Sequence, residues 1–119
     1  MRRRVEFLAC YERGRKYRSP SFLVFALPRD GEAAGPRFGS AVSKKHGNAV
    51  LRNRVKRILR EFFRFARPNL AVPLDFVIVP KSNLDPQTLS LAAATAELSP
   101  LCARIAREFE RFQEARRQA

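Results

Sequence analysis

Arg52, Arg54, Lys56, Arg57 and Arg60 fall within nine residues, and Lys44 and Lys45 shortly precede them. A guanidinium fork can hold two phosphate oxygens at once while its plane stacks on a base, so the chemistry open to this cluster is anion binding. A merely solvated helix face interleaves acidic residues to gain i,i+4 pairs. From 44 to 67 only Glu61 is negative, which favours a polyanionic partner over solvent. Catalytic sets are thin by comparison. His46 is the only imidazole and stands beside two lysines, so a surface or RNA-contacting role suits it better than general base catalysis. The carboxylates are scattered rather than clustered for two metal ions, and no serine sits in a GxSxG motif. Gly31 and Gly35 do not make a phosphate-cradling loop, and Cys10 and Cys102 lack the paired spacing of a zinc site. No side-chain set for phosphodiester hydrolysis is present, and no catalytic or metal-binding residue is assigned.

The element that must carry the cluster is a helix within residues 43–67. At about 100° per residue, Leu51, Val55, Ile58, Leu59, Phe62 and Ala66 gather on one side. Lys56, Arg57, Arg60, Arg64 and Arg67 gather opposite with Asn53, so one face is core and the other seeks an anion. Asn48 is the expected N-cap, Gly47 permits a sharp entry, and Pro68 stops the helix.

Around it, residues 5–13 read as a short helix closed by Gly14, with Phe7 and Tyr11 four apart on one face. Their own pattern fits core aromatics better than a ligand surface. Arg13, Arg15, Lys16 and Arg18 read as a solvated basic turn. Residues 21–27, between Pro20 and Pro28, are a strand apolar on both faces, and 29–36 is a polar loop expected to connect a hairpin. A second strand over 37–43 sets Phe38 and Val42 against Gly39, Ala41 and Ser43; the small face suits close helix packing and a groove floor equally. Residues 75–79 are a buried strand, so the intervening helix is expected to cross over within one sheet. Asp85-Pro86 opens a last helical region with Leu91, Leu98, Leu101, Ile105, Phe109 and Phe112 as its stripe. Pro100 either kinks it or restarts it with Ser99 as cap, and residues 114–119 are expected to fray.

With 119 residues, 45% apolar content and ten Phe, the chain suits one domain with its own core. The net charge of +13 is concentrated: residues 37–67 hold ten Lys or Arg against Glu61 alone, whereas 69–100 hold only Lys81 against three acids. Both cysteines are expected to be reduced and partly buried. No apolar run is long enough to span a bilayer, and the Arg-rich start lacks a secretory apolar segment, so a cytoplasmic location is expected. The internal apolar strands argue against a membrane-surface amphipath.

The run SKKHGNAVLRNRVKR resembles the signature of the protein subunit of bacterial ribonuclease P, V-S-K-K-x-G-x-A-V-x-R-N-R-x-K-R, over residues 42–57, and Arg60, Glu61 and Phe63 continue it. Glu6, Phe7, Tyr11 and Gly14 match the family's start more weakly. The resemblance implies an α+β fold: one α/β sandwich over 1–119, order αβββαβα. Its crossover helix is left-handed, as in the fold type named after the second domain of a small-subunit ribosomal protein, against the usual preference.

The resemblance further implies a protein that does not itself cleave RNA. Such a subunit binds a catalytic RNA and the 5′ leader of precursor tRNA, while Mg2+ held mainly by the RNA performs hydrolysis. Phe7, Tyr11 and Phe25 match the family's leader-binding cleft, which reverses the preference for core aromatics. Arg52, Asn53, Arg54, Lys56, Arg57 and Arg60 match the helix that contacts the catalytic RNA, with Lys44, Lys45 and Asn48 at its entry. Two positions depart: His46 stands where the family is usually apolar, and Lys81 follows the last strand where an arginine is typical. A structural RNA-binding protein of ribosomal type is the alternative.

Overall fold

The computed structural model describes residues 4–29 and 35–118, without the side chain of Arg117. Helix α1 (Arg4–Arg13) leads into strands β1 (Arg15–Arg18), β2 (Phe22–Pro28) and β3 (Arg37–Ser40). Helix α2 (Ala49–Ala66), strand β4 (Leu74–Pro80) and helix α3 (Leu91–Gln118) follow. The strands form one sheet in the order β1-β2-β4-β3. β2 is antiparallel to β1 and β4, while β3 and β4 are parallel, as a strand–helix–strand crossover through α2 requires.

Two expectations change here. The basic segment after α1 is a strand rather than a solvated turn, because Arg15 to Arg18 pair with Ala26 to Leu23. The 29–36 loop does not make a hairpin, because β4 is inserted between β2 and β3; residues 30–34 of that loop lie outside the described residues. The α1–β1 junction needs Gly14, since a Cβ there would stand 2.5 Å from the Cys10 carbonyl oxygen and 3.0 Å from that of Ala26.

Alternation along the strands divides the sheet into two faces. Phe22, Val24 and Ala26 of β2, Phe38 of β3 and Leu74, Phe76 and Ile78 of β4 are buried under α2 and α3. Phe38 sits between Phe63 of α2 and Phe76, its ring stacked on both at 4.7 and 5.1 Å. Helix α2 follows its sequence pattern: Val55, Leu59 and Phe62 are buried, and Phe63 joins them. Asn48 Oδ1 accepts from the Leu51 N–H at 3.0 Å, and the helix stops at Ala66, before a 3-10 turn containing Pro68.

The last helix begins later than Asp85-Pro86 suggested. Asp85 Oδ1 instead accepts from the Gln87 N–H in a turn, and Ser90 Oγ accepts from the Ala93 N–H at the start of α3. α3 then runs through Pro100 without restarting at Ser99 and continues to Gln118. Leu98, Leu101 and Ile105 of its stripe are buried, but Phe112 is 60% exposed under the Arg116 guanidinium. Glu97 of α3 fastens the β1–β2 turn, accepting from the Ser19 hydroxyl at 2.7 Å and the Ser21 N–H at 2.8 Å. Burial would raise its pKa, but those donors outweigh burial and hold the carboxyl below its ordinary range.

Candidate nucleic-acid interface

The second face of the sheet is only partly covered. α1 crosses it along one end: Glu6 pairs with Arg37 of β3, the Cys10 thiol lies 3.9 Å from the Asp75 carbonyl oxygen of β4, and Gly14 abuts Ala26 of β2. Burial pushes the Cys10 thiol up to about 11 and that of Cys102, in the core, to about 12. Both cysteines are free and fully buried, more than the sequence suggested, so neither offers a reactive thiolate.

Under α1, Asp75 is 3% exposed and neutralised by two arginines. Arg37 donates from Nε to Oδ1 at 2.8 Å and from Nη2 to Oδ2 at 2.7 Å, while Arg29 Nη1 donates to Oδ1 at 3.0 Å. Burial would raise this carboxyl, but the Arg37 and Arg29 bonds prevail and lower it. Arg29 and Arg37 therefore spread along a carboxylate rather than facing a ligand.

Beside α1, the sheet face is open. The pairing register sets Lys16, Phe25, Val77 and Gly39 in one row across the four strands, and Arg18, Leu23 and Val79 in the next. Val77 is sealed, whereas Leu23, Phe25 and Val79 stay half-exposed. Tyr11 projects from α1 onto Phe25, edge to face at 5.0 Å. One helical turn away, Phe7 lines a groove of about 480 Å³ with Gly39, Ser40, Phe63, Arg60, Arg64 and Arg67. The structure thus sets Tyr11 against Phe25 with Phe7 one turn along α1, and of the small face of β3 Gly39 lines the groove.

The chain is basic just past β3 and β4. Lys44 and Lys45 are exposed in the 3-10 turn Lys44–His46, and Lys81 follows β4. His46 is buried, 3% exposed, which corrects the expectation of a surface histidine. Its Nε2 lies 2.9 Å from the Lys81 carbonyl oxygen; a carbonyl only accepts, so Nε2 carries the proton. This bond ties the two-lysine turn to Lys81. Gly47, at φ +105, closes the turn against Leu51, where a Cβ would stand 2.7 Å from Cδ1.

The outward face of α2 presents Asn53, Lys56, Arg57 and Arg60 to solvent. Arg52 is half-buried with its Nε enclosed and unpartnered, and Asn48 uses its oxygen as the cap. Arg54 is held differently. Its Nη1 donates to the Leu89 carbonyl at 2.6 Å and the Pro86 carbonyl at 3.1 Å, so it also pins the segment before α3. Among the described residues no three His, Cys, Asp or Glu side chains converge as a metal cage. No described helix is long and apolar enough to cross a membrane.

Sequence reasoning missed Lys16 and Arg18, which share the open face with Phe25 and Leu23. The signal was the period-2 alternation within Arg15-Lys16-Tyr17-Arg18, hidden by its shortness.

A family model described as Ribonuclease P matches residues 1–106. A ribonuclease P protein component of Desulfovibrio desulfuricans is 54% identical over 107 residues, covering 90% of this chain and 82% of that protein. The corresponding protein of Oleidesulfovibrio alaskensis is 50% identical over 103 residues, covering 87% and 82%. Among solved structures, the RNase P protein of Thermotoga maritima in complex with 1-(4-fluorophenyl)-2-thiourea superposes with a TM-score of 0.77 at 27% identity, covering 87% of this chain and 97% of that one. That of Staphylococcus aureus gives 0.73 at 26%, covering 89% and 93%.

Proposed function

The chain belongs to the bacterial ribonuclease P protein family, as a component of a tRNA-processing endoribonuclease, and from that premise we propose how its two surfaces divide the work. The trough beside α1 holds the single-stranded 5′ leader of precursor tRNA. Phe7, Tyr11 and Phe25 offer ring faces and edges to unpaired bases, and Lys44, Lys45 and Lys81 meet the phosphates. The outward face of α2, with Asn53, Lys56, Arg57 and Arg60 foremost and Asn48, Arg52 and Arg54 behind them, binds the catalytic RNA. Residues 1–119 act as one RNA-binding domain in the cytoplasm. On this reading Mg2+ belongs with the catalytic RNA, where it would supply the metal-assisted hydrolysis; the protein's part is to bind and orient.

The observation that supports this division best is the adjacency of Tyr11 and Phe25 at 5.0 Å on a partly exposed sheet face, with lysines in the segments that follow β3 and β4. A purely structural RNA-binding protein needs no such aromatic track. Purified protein added to a bacterial catalytic RNA at low magnesium is expected to stimulate cleavage of precursor tRNA. Phe25→Ala should weaken binding of leader-bearing precursor by about 1–3 kcal/mol while leaving mature tRNA unchanged. Equal losses for both RNAs would sink the leader assignment, and absence of stimulation would favour the ribosomal-type alternative.

A further inference from the structure

We propose that Lys16 and Arg18 of β1 form a phosphate-binding rim for the part of the leader farthest from the cleavage site, an extension that rests on the leader assignment above. The register pairs Lys16 with Phe25 and Arg18 with Leu23, and directly paired residues project to the same face of a sheet. Both cations therefore border the open trough at its β1 edge. The pleat is locked in this sense by Tyr17 between them. Tyr17 faces α3, its hydroxyl donating to Glu108 Oε2 at 2.8 Å and its ring lying under the Arg104 guanidinium, 5.6 Å from the centroid. Lys16 and Arg18 are exposed, and neither has an ion-pair or hydrogen-bond partner among the described residues.

The position along the track follows from the strand order. α2 is anchored beneath β3 through the Phe38–Phe63 stack, so the catalytic RNA on α2 lies toward the β3 edge. β1 is the opposite edge, three strand spacings or about 14 Å away. A strand that passes Phe7 and Tyr11 and continues over Phe25 reaches Lys16 and Arg18 last. The rim therefore meets backbone phosphates several nucleotides upstream and confers no base preference.

Charged residues on an edge strand can also serve only to repel other strands. The reconstituted holoenzyme containing Lys16→Gln/Arg18→Gln separates the two roles, with precursor tRNAs whose leaders are shortened one nucleotide at a time. The expected result is a roughly tenfold weaker binding of long-leader precursor and a salt slope shallower by about 0.7 per lost phosphate. Short-leader precursor, mature tRNA and free catalytic RNA should bind as to the parent protein. Unchanged affinity at every leader length, or an equal loss for mature tRNA or free catalytic RNA, overturns the rim. Phe25→Ala, measured alongside, keeps the two assignments apart: if it discriminates by leader and the double variant does not, only the rim fails.

Discussion

Asp75→Ala should lower folding stability by about 3 kcal/mol, seen as a fall of roughly 10 °C in the thermal midpoint. The substitution removes an almost fully enclosed carboxylate and leaves Arg29 and Arg37 facing each other beneath α1. Its size comes from two arginines losing the carboxylate they share, although Arg37 keeps Glu6 and Arg29 keeps the Gly35 carbonyl, and replacing Asp75 and both arginines with apolar residues should recover part of the loss. The pH dependence has a definite sign. Asp75 has a lowered carboxyl pKa in the folded protein, so its contribution is complete above the ordinary carboxylate range near 4 and is lost as pH falls through the lower folded value. Acid titration of parent and Asp75→Ala proteins should therefore converge in stability. A parent curve that stays parallel to the variant down to low pH would contradict the assignment of that charge.

The largest binding effect is expected from Lys56→Gln/Arg57→Gln/Arg60→Gln. All three side chains stand on the exposed face of α2, away from Val55, Leu59 and Phe62, so the fold should survive. Affinity for the catalytic RNA should fall roughly a hundredfold, with the salt slope shallower by about 2 to 3. Filter binding across a salt series reads both quantities, and an unchanged slope would exclude phosphate contact by these residues. Arg54 is left out of the triple because its Nη1 holds the Pro86 and Leu89 carbonyls, so its loss would unfasten the approach to α3 as well.

Helix α2 was legible in the sequence because a capped amphipathic helix announces itself locally: Asn48, the 3.6-residue period and Pro68 each act within a few residues. β1 was not legible. Four residues with Tyr17 as their one strand-favouring side chain are too short a run to read as a strand, and only pairing with β2 makes them one. The same applies to the sheet order, since nothing local in residues 74–80 says that they insert between β2 and β3. The aromatic track was half legible. Phe7 and Tyr11 share a helix face, but Phe25 joins them only through α1 crossing the sheet. His46 misled because a histidine among lysines looks exposed, and its bond to Lys81 spans 35 positions. Arg54 likewise looked like its neighbours until the segment 85–89 folded beneath it.

The insertion of β4 at the centre of the sheet also dictates how this protein matures during synthesis. α1, β1 and β2 leave the ribosome first and can pair as a local unit, yet Phe22, Val24 and Ala26 have nothing to lie against until α2 and α3 arrive. β3 has no strand to bond with until β4 has been made, since the two are hydrogen-bonded only to each other on that side. The nascent chain consequently carries an uncovered apolar face until α2 and α3 have been made, and closes its core by joining distant segments.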